Sequence, residues 1–101
     1  MVSSLWIARK NERKCGRHPC TMVVFHNDDY TTMDFVASTL VTFFNYSFDA
    51  AWDAMMKVHE QGSAVAGIYT RDIAETKSSQ VVELARRKGY PFKVTTEPYE
   101  E

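Results

Sequence analysis

Residues 26–34 read His-Asn-Asp-Asp-Tyr-Thr-Thr-Met-Asp, and this polar stretch separates two apolar segments of different periodicity. Before it, residues 21–25 (Thr-Met-Val-Val-Phe) are apolar and rich in β-branched side chains, which predicts a buried strand. After it, residues 35–44 repeat apolar side chains at helical spacing, which predicts a helix. The stretch therefore lies at a corner between a strand and a helix, where rigid neighbours can hold functional side chains in place.

This corner contains more hydrogen-bond acceptors than a helix start needs. Thr31 is predicted to cap the helix, and Asp34, three residues later, suits the positive end of the helix dipole. Capping does not account for Asn27, Asp28 and Asp29, which crowd together just before it. Three consecutive side chains that can accept hydrogen bonds predict a site for a cationic group.

Length and composition indicate one soluble globular domain. The chain has 101 residues, of which 45% are hydrophobic and 25% are charged. Its net charge of −1 excludes a generally basic nucleic-acid binder. Residues 1–20 carry five basic side chains and one acidic one, so the rest of the chain is acidic. No apolar run is long enough for a membrane span or a signal peptide, and a cytoplasmic protein is expected.

The cysteines and the absence of enzyme motifs exclude several further classes. Cys15 and Cys20 do not imply a disulfide scaffold, and with His18 they offer fewer than the four ligands typical of structural zinc. We therefore expect no metal, no cofactor and a reducing compartment. No phosphate-binding loop, nucleophile elbow or His-Glu-x-x-His motif is present. A hydrolase using Asp29 and His59 stays open as a weak hypothesis, although no nucleophile is evident.

The second predicted helix carries two residues of functional interest. Ser47 is a good cap for a helix over residues 48–61, and Gly62 is suited to end it. Met55 and His59 are four residues apart and share a face of this helix. A histidine near a helix end is more often a surface or capping group than a ligand, but its charge switches near neutral pH. The inward stripe of the helix is predicted to contain Phe48, Ala51, Met55 and Val58.

The rest of the chain is predicted to add two strands and one helix. A strand is predicted over residues 64–70, a helix over 71–88 with Ile73 facing inward, and a last strand over 92–96. The order strand, helix, helix, strand, helix, strand predicts a two-layer sandwich with the helices on one face of the sheet. We divide the chain into a flexible basic arm (1–19), one domain (20–98) and an acidic tail (99–101).

Four short motifs in this order resemble the ClpS family. They are residues 27–31 (Asn-Asp-Asp-Tyr-Thr), 33–36 (Met-Asp-Phe-Val), 58–62 (Val-His-Glu-Gln-Gly) and 74–77 (Ala-Glu-Thr-Lys). Members of this family are adaptors of the bacterial N-degron pathway, and they hand substrates to a Clp unfoldase. The resemblance covers about residues 20–98. It implies an α+β fold of three antiparallel strands packed on three helices, in agreement with the element order above.

The resemblance implies a pocket for the first residue of a substrate, usually Leu, Phe, Tyr or Trp. Asn27, Asp29 and His59 would hold the free α-amino group. An ammonium donates three hydrogen bonds, and an amide oxygen, a carboxylate and a neutral imidazole accept them. An acetylated terminus would leave these acceptors unpaired. The hydrophobic side chain would be lined by Thr31, Met33, Val36, Met55, Val58 and Phe92.

Two residues depart from the family pattern. Thr32 stands where many members have proline, a mild change because proline at the start of a helix mainly presets the backbone. Phe92 stands where an aliphatic residue is common, and a larger wall would disfavour Trp more than Leu or Phe. In the family, the counterpart of Met33 stands at the pocket mouth and disfavours Ile and Val. Asp28 has no implied contact, and we expect it to order the turn.

The resemblance also implies a partner. The N-terminal domain of a ClpA- or ClpC-type unfoldase would contact a surface that includes Tyr30, Asp72, Glu75, Thr76 and Lys77. The basic arm would assist delivery, and the protein would be a monomer without enzymatic activity that binds neither nucleic acid nor membrane. The alternative is a non-catalytic interaction module on the same fold, like the C-terminal domain of the ribosomal stalk protein, without a selective pocket.

Overall fold

The computed structural model describes residues 18–99, which form a three-stranded antiparallel sheet with three helices. Each element is formed by a segment whose pattern predicted it. The elements are β1 (Cys20–His26), α1 (Met33–Phe44), α2 (Phe48–Gln61), β2 (Ser63–Thr70), α3 (Arg71–Arg87) and β3 (Lys93–Tyr99). The strand order in the sheet is β2-β1-β3. The predicted fold class and element order are confirmed.

Strand β1 is central because both other strands pair with it. Its residues Val23, Val24 and Phe25 are buried, as the apolar run predicted. His26, its last residue, pairs with Ser63 at the start of β2 and with Lys93 at the start of β3. The loop after β1, the end of α2 and the start of β3 therefore meet at one end of the sheet.

Aromatic side chains form much of the core between the sheet and the helices. Phe25 of β1 packs edge-on against Phe44 and Phe92, with ring centroids 5.5 and 4.9 Å away. Phe35 of α1 packs edge-on against Phe92 at 6.0 Å. Such edge-to-face pairs add specific geometry to the burial of large apolar area. They fix the orientation of α1 over β1, and so the position of the corner between them.

The start of α1 differs by one residue from the prediction. The cap is Thr32, whose hydroxyl oxygen accepts from the backbone N–H of Phe35 at 3.2 Å. The predicted cap, Thr31, is engaged elsewhere because its hydroxyl donates to Asp28. The caps of α2 are confirmed: Ser47 accepts from the N–H of Ala50, and Gly62 ends the helix in the left-handed region.

Two residues predicted to face inward are exposed. Phe48 and Ile73 have 71% and 42% of their surface accessible. Both lie in the first turn of a helix. Helical side chains point back toward the N-terminus, so a first-turn side chain extends past the start of its own helix.

The last strand is longer than predicted. β3 continues to Tyr99, with Pro98 opposite Thr21 and Tyr99 opposite Cys20. Pro98 is tolerated because β3 is an edge strand, where a missing N–H need not break a ladder.

The predicted basic arm lies outside the described residues except for its last two positions. Cys20 is disulfide-bonded, although the two cysteines did not predict a disulfide. Among residues 18–99, no helix is long and apolar enough to cross a membrane.

Candidate functional site

Asp28 organises the loop between β1 and α1. One of its carboxylate oxygens accepts from the backbone N–H groups of Tyr30 and Thr31 at 2.8 and 2.7 Å. The other accepts from the Thr31 hydroxyl at 2.8 Å. This aspartate therefore holds three donors of the turn that follows it, as turn-forming aspartates commonly do. The expectation that Asp28 orders the turn is confirmed.

The same hydrogen bonds keep Asp28 ionised. Partial burial by itself would raise the pKa of its carboxyl group. The two backbone N–H groups and the Thr31 hydroxyl stabilise the charged form and hold the pKa of Asp28 below its ordinary value. The loop conformation is therefore coupled to a charged Asp28 at neutral pH.

A backbone contact brings the loop to the end of α2. The N–H of Asn27 donates to the carbonyl oxygen of Gly62 at 2.8 Å. Gly62 directly follows α2, and His59 lies in the last turn of that helix. Asn27 and His59 are 32 positions apart in the sequence, yet this contact places them at the same end of the fold.

A cavity of about 360 Å³ opens between the loop, α1 and the end of α2. Such a volume is typical of pockets for small ligands or single side chains. Its walls come from the three segments that the contacts above hold together. The lining residues are Asn27, Asp28, Asp29, Tyr30, Thr31, Thr32, Met33, Val36, Met55, Val58 and His59.

The cavity has an apolar interior and a polar rim. Val36, Met55 and Val58 are 6%, 1% and 3% exposed, so they belong to the core and present one face to the cavity. Asn27, Asp29 and His59 are exposed. A pocket that joins a hydrophobic floor to a few convergent polar groups can bind a ligand with an apolar body and a polar end.

The polar rim is suited to a cation rather than an anion. It offers an amide oxygen, a carboxylate and an imidazole, all of which can accept hydrogen bonds. Asp28 adds a second carboxyl group to the lining, and none of the lining side chains is a lysine or an arginine. An ammonium group that donates to these acceptors would be held by both charge and hydrogen bonding.

The structure brings together eight of the nine residues predicted for substrate contact. Phe92 is the exception, since it does not line the cavity. It is 5% exposed and packs on Phe25 and Phe35 in the core. Phe92 therefore contacts Phe35, the neighbour of the lining residue Val36, and does not contact the cavity itself.

The predicted unfoldase surface is divided in the structure. Tyr30 follows the end of β1 and is 76% exposed at the rim of the cavity. Asp72 lies at the start of α3, next to Thr70, which pairs with Cys20 at the other end of β1. The seven residues of β1 span about 20 Å. Glu75 and Thr76 are exposed on the first turns of α3, within four residues of Asp72.

Lys77 makes intramolecular contacts that the sequence did not indicate. Its ammonium group donates to the carbonyl oxygen of Phe43 at 2.6 Å and lies 5.7 and 5.2 Å from the ring centres of Phe44 and Tyr69. Phe43 is in the last turn of α1, where carbonyl groups lack helical partners and attract cations. Burial raises the pKa of Tyr69 to about 12, so its ring stays neutral. Lys77 therefore joins α3 to the end of α1.

No group of at least three histidine, cysteine or acidic side chains suited to a metal ion occurs within the described residues. The structure defines a small α+β domain whose pocket, at one end of the sheet, has hydrogen-bond acceptors at its rim and an apolar floor. The family model described as "ATP-dependent Clp protease adaptor protein ClpS" matches residues 17–95. The chain belongs to this ClpS family of Clp protease adaptors.

Individual relatives agree with the family match. The Clp protease adapter protein ClpS of Desulforapulum autotrophicum is 49% identical over 88 residues, which are 87% of this chain and 85% of that protein. ClpS of Deinococcus radiodurans is 48% identical over 79 residues, covering 78% of this chain and 70% of the relative. The structure is also similar to Agrobacterium tumefaciens ClpS2 bound to L-phenylalaninamide, with a TM-score of 0.79 and 41% identity. The match covers 82% of this chain and all of that one.

Proposed function

We propose that this adaptor recognises proteins by a free α-amino group and a bulky hydrophobic first residue (Leu, Phe, Tyr or Trp), and delivers them to a ClpA- or ClpC-type unfoldase. The observation that carries the proposal is the cavity at the end of β1. It joins hydrogen-bond acceptors at its rim to an apolar interior. The first residue of a polypeptide has the same two parts, a charged amino group and a side chain, within a few bonds of each other.

The chemistry of a relative's ligand supports this reading. The solved ClpS2 of Agrobacterium tumefaciens is bound to L-phenylalaninamide. That compound has a free amino group, a benzyl side chain and an amide in place of a carboxylate. It therefore resembles the first residue of a chain that starts with phenylalanine. The cavity described above has residue types suited to each of these groups.

In this proposal each part of the cavity has a separate task. Asn27, Asp29 and His59 accept hydrogen bonds from the α-ammonium group, and the carboxylate of Asp29 adds charge. Met55 and Val58 form the apolar floor on which the first side chain packs. An acetylated terminus has no positive charge and fewer donors, so acceptors buried on binding would stay unpaired, at about 1–3 kcal/mol for each group.

Peptide binding measured by fluorescence anisotropy tests the proposal. Labelled peptides that begin with Leu, Phe, Tyr or Trp should bind, and their N-acetylated forms should bind at least about tenfold more weakly, which is about 1.4 kcal/mol. Equal affinity for free and acetylated peptides would contradict the proposal.

Substitutions at the rim separate the binding role from stability. Asp29→Asn should weaken binding of the free peptide by about tenfold or more, since it removes a charge-assisted hydrogen bond. Asp53→Asn is the matched control, because Asp53 is an exposed aspartate outside the cavity lining. If both variants bind as the unsubstituted protein does, Asp29 does not hold the amino group.

Docking on the unfoldase is a separate part of the proposal. The exposed residues Asp72, Glu75 and Thr76 on the first turns of α3 offer a surface distant from the cavity. An adaptor must bind substrate and unfoldase together, so two surfaces at opposite ends of the sheet suit this task. Charge reversal at Glu75 should weaken binding to an isolated unfoldase N-terminal domain in calorimetry and leave peptide affinity unchanged. Loss of peptide binding in this variant would argue against separate surfaces.

A further inference from the structure

A second concave surface lies between α1 and α2, and we call it the interhelical groove. Its volume is about 370 Å³. It is lined by Asp34, Ala37, Ser38 and Val41 on α1 and by Phe48 and Trp52 on α2. It shares no lining residue with the cavity at the end of β1.

The groove exposes three large apolar side chains. Phe48, Trp52 and Val41 are 71%, 41% and 40% accessible. The rings of Phe48 and Trp52 stack with centroids 6.4 Å apart and planes inclined by 26°. Together these three side chains make up half of the large exposed hydrophobic residues within the described part of the chain. Such a concentration is typical of a surface that another molecule covers.

The groove continues the cavity along both helices. On α2, Phe48, Trp52 and His59 are separated by four and seven residues, which places them on one face of the helix. On α1, the cavity residue Met33 is followed directly by Asp34, which lines the groove. A chain that leaves the cavity past His59 therefore meets Trp52 first and Phe48 next.

We propose that the interhelical groove binds the substrate segment that follows the first residue, and that it prefers apolar side chains at about the fourth to sixth positions. This inference rests on the proposed function. At 1.5 Å per helical residue, Trp52 and Phe48 lie about 10 and 16 Å from His59 along α2. An extended peptide advances about 3.3 Å per residue. Its fourth residue thus reaches Trp52, and its sixth reaches Phe48.

Peptide pairs that differ only beyond the first residue test this inference. Phe-Ala-Ala-Leu-Ala-Leu and Phe-Ala-Ala-Ser-Ala-Ser, each labelled at the C-terminus, have the same first three residues. The leucine peptide should bind the unsubstituted protein about tenfold more tightly, a difference of about 1.4 kcal/mol. Trp52→Ala and Phe48→Ala should each reduce this preference, and the double variant should abolish it.

Binding of phenylalaninamide and one surface variant are the two controls. Under the proposed function phenylalaninamide, a single residue, would fill only the cavity, so Trp52→Ala and Phe48→Ala should bind it as the unsubstituted protein does. This result would show that both variants are folded with an intact cavity. Ile73→Ala is the matched surface control, because Ile73 is 42% exposed, close to the 41% of Trp52, and lies outside the groove on α3. It should keep the full preference for the leucine peptide.

Three results would overturn the inference, each in a different way. Equal affinity for the leucine and serine peptides would overturn it while the proposed function stands. Failure of every peptide with a free amino terminus to bind would overturn the proposed function and this inference with it. A dimer that Trp52→Ala converts to a monomer in sedimentation, with peptide preference unchanged, would show that the groove binds a second copy of the chain.

Discussion

The backbone N–H of Asn27 donates to the carbonyl oxygen of Gly62 at 2.8 Å, and this bond joins the residue after β1 to the residue after α2. Gly62 has a φ of +87°, a conformation that favours glycine. The amide side chain of Asn27 and the imidazole of His59 reach the same cavity because this turn closes. The site therefore depends on a backbone contact as well as on its side chains.

Gly62→Ala should cost about 1–2 kcal/mol of the free energy of unfolding, the usual cost of a left-handed non-glycine residue. A Cβ at Gly62 would meet no atom within 4 Å, so the cost is conformational. Gly89→Ala is the control, since Gly89 has a φ of +80° and equally open surroundings. Urea unfolding should show similar losses for both variants. Only Gly62→Ala should weaken peptide binding, and equal binding by both would contradict a role for the turn in the site.

Asp28→Ala should destabilise the protein by about 1–2 kcal/mol at neutral pH, because it leaves the donors of Tyr30 and Thr31 without their partner. The pKa of Asp28 is lower in the fold than its ordinary value of 3.8. The stability it contributes is therefore present above 3.8 and is lost as the pH falls through the lower folded value. Urea unfolding at several pH values should show the difference between the two proteins shrinking in acid. A difference that stays constant would contradict this coupling.

His26 should titrate below 6.5 in an NMR titration, chiefly because burial disfavours its charged form and also because Lys93 lies nearby. Lys93→Gln should therefore raise the pKa of His26, and Glu97→Gln should lower it further. Since the folded pKa is below the unfolded one, stability is full above 6.5 and declines as the pH falls toward the folded value. His26 also shares a 2.8 Å hydrogen bond with Thr95 on β3. Shifts of the same sign in the two variants, or no shift in either, would contradict this electrostatic account.

Lys77→Met should destabilise the protein by about 1–2 kcal/mol, since it removes a hydrogen bond to a helix end and a cation over two rings. Glu75→Gln should change stability by less than about 1 kcal/mol, because the Arg71–Glu75 ion pair is exposed. Thermal unfolding measures both. If the Lys77→Met variant is destabilised, weaker binding to the unfoldase is explained by a displaced α3 and does not show a contact at Lys77. A Lys77→Met variant that keeps its stability and still binds the unfoldase more weakly would favour a direct contact between Lys77 and the unfoldase.

Local patterns predicted the elements well where a run of buried apolar residues or a pair of capping residues marks them. The apolar run before His26 gave the central strand, and the capping residue Ser47 and Gly62 gave the limits of α2. Predictions failed at element ends. Thr31 and Thr32 are equally good caps by type, and only the contact of Thr31 with Asp28 decides between them. Likewise Pro98 argues against a strand until β3 is known to be at the edge of the sheet.

Most of the candidate cavity followed from the sequence because its motifs resemble a known family. Phe92 shows the limit of that reasoning: the family position implied a cavity wall, whereas packing on Phe25 and Phe35 places it in the core. The exposed stack of Phe48 and Trp52 was also missed, although aromatic residues four apart on a helix are a signal for such a pair.

The sequence alone determined the order of strands and helices, the residue types of the polar corner and the family of the protein. These depend on near neighbours in the chain, whose periodicity and capping can be read directly. Only the tertiary structure decided that Asn27 meets the end of α2, that Lys77 binds the end of α1, and that Tyr30 is far from Asp72. Contacts between distant residues are set by sheet register and core packing, which no single segment of the sequence encodes.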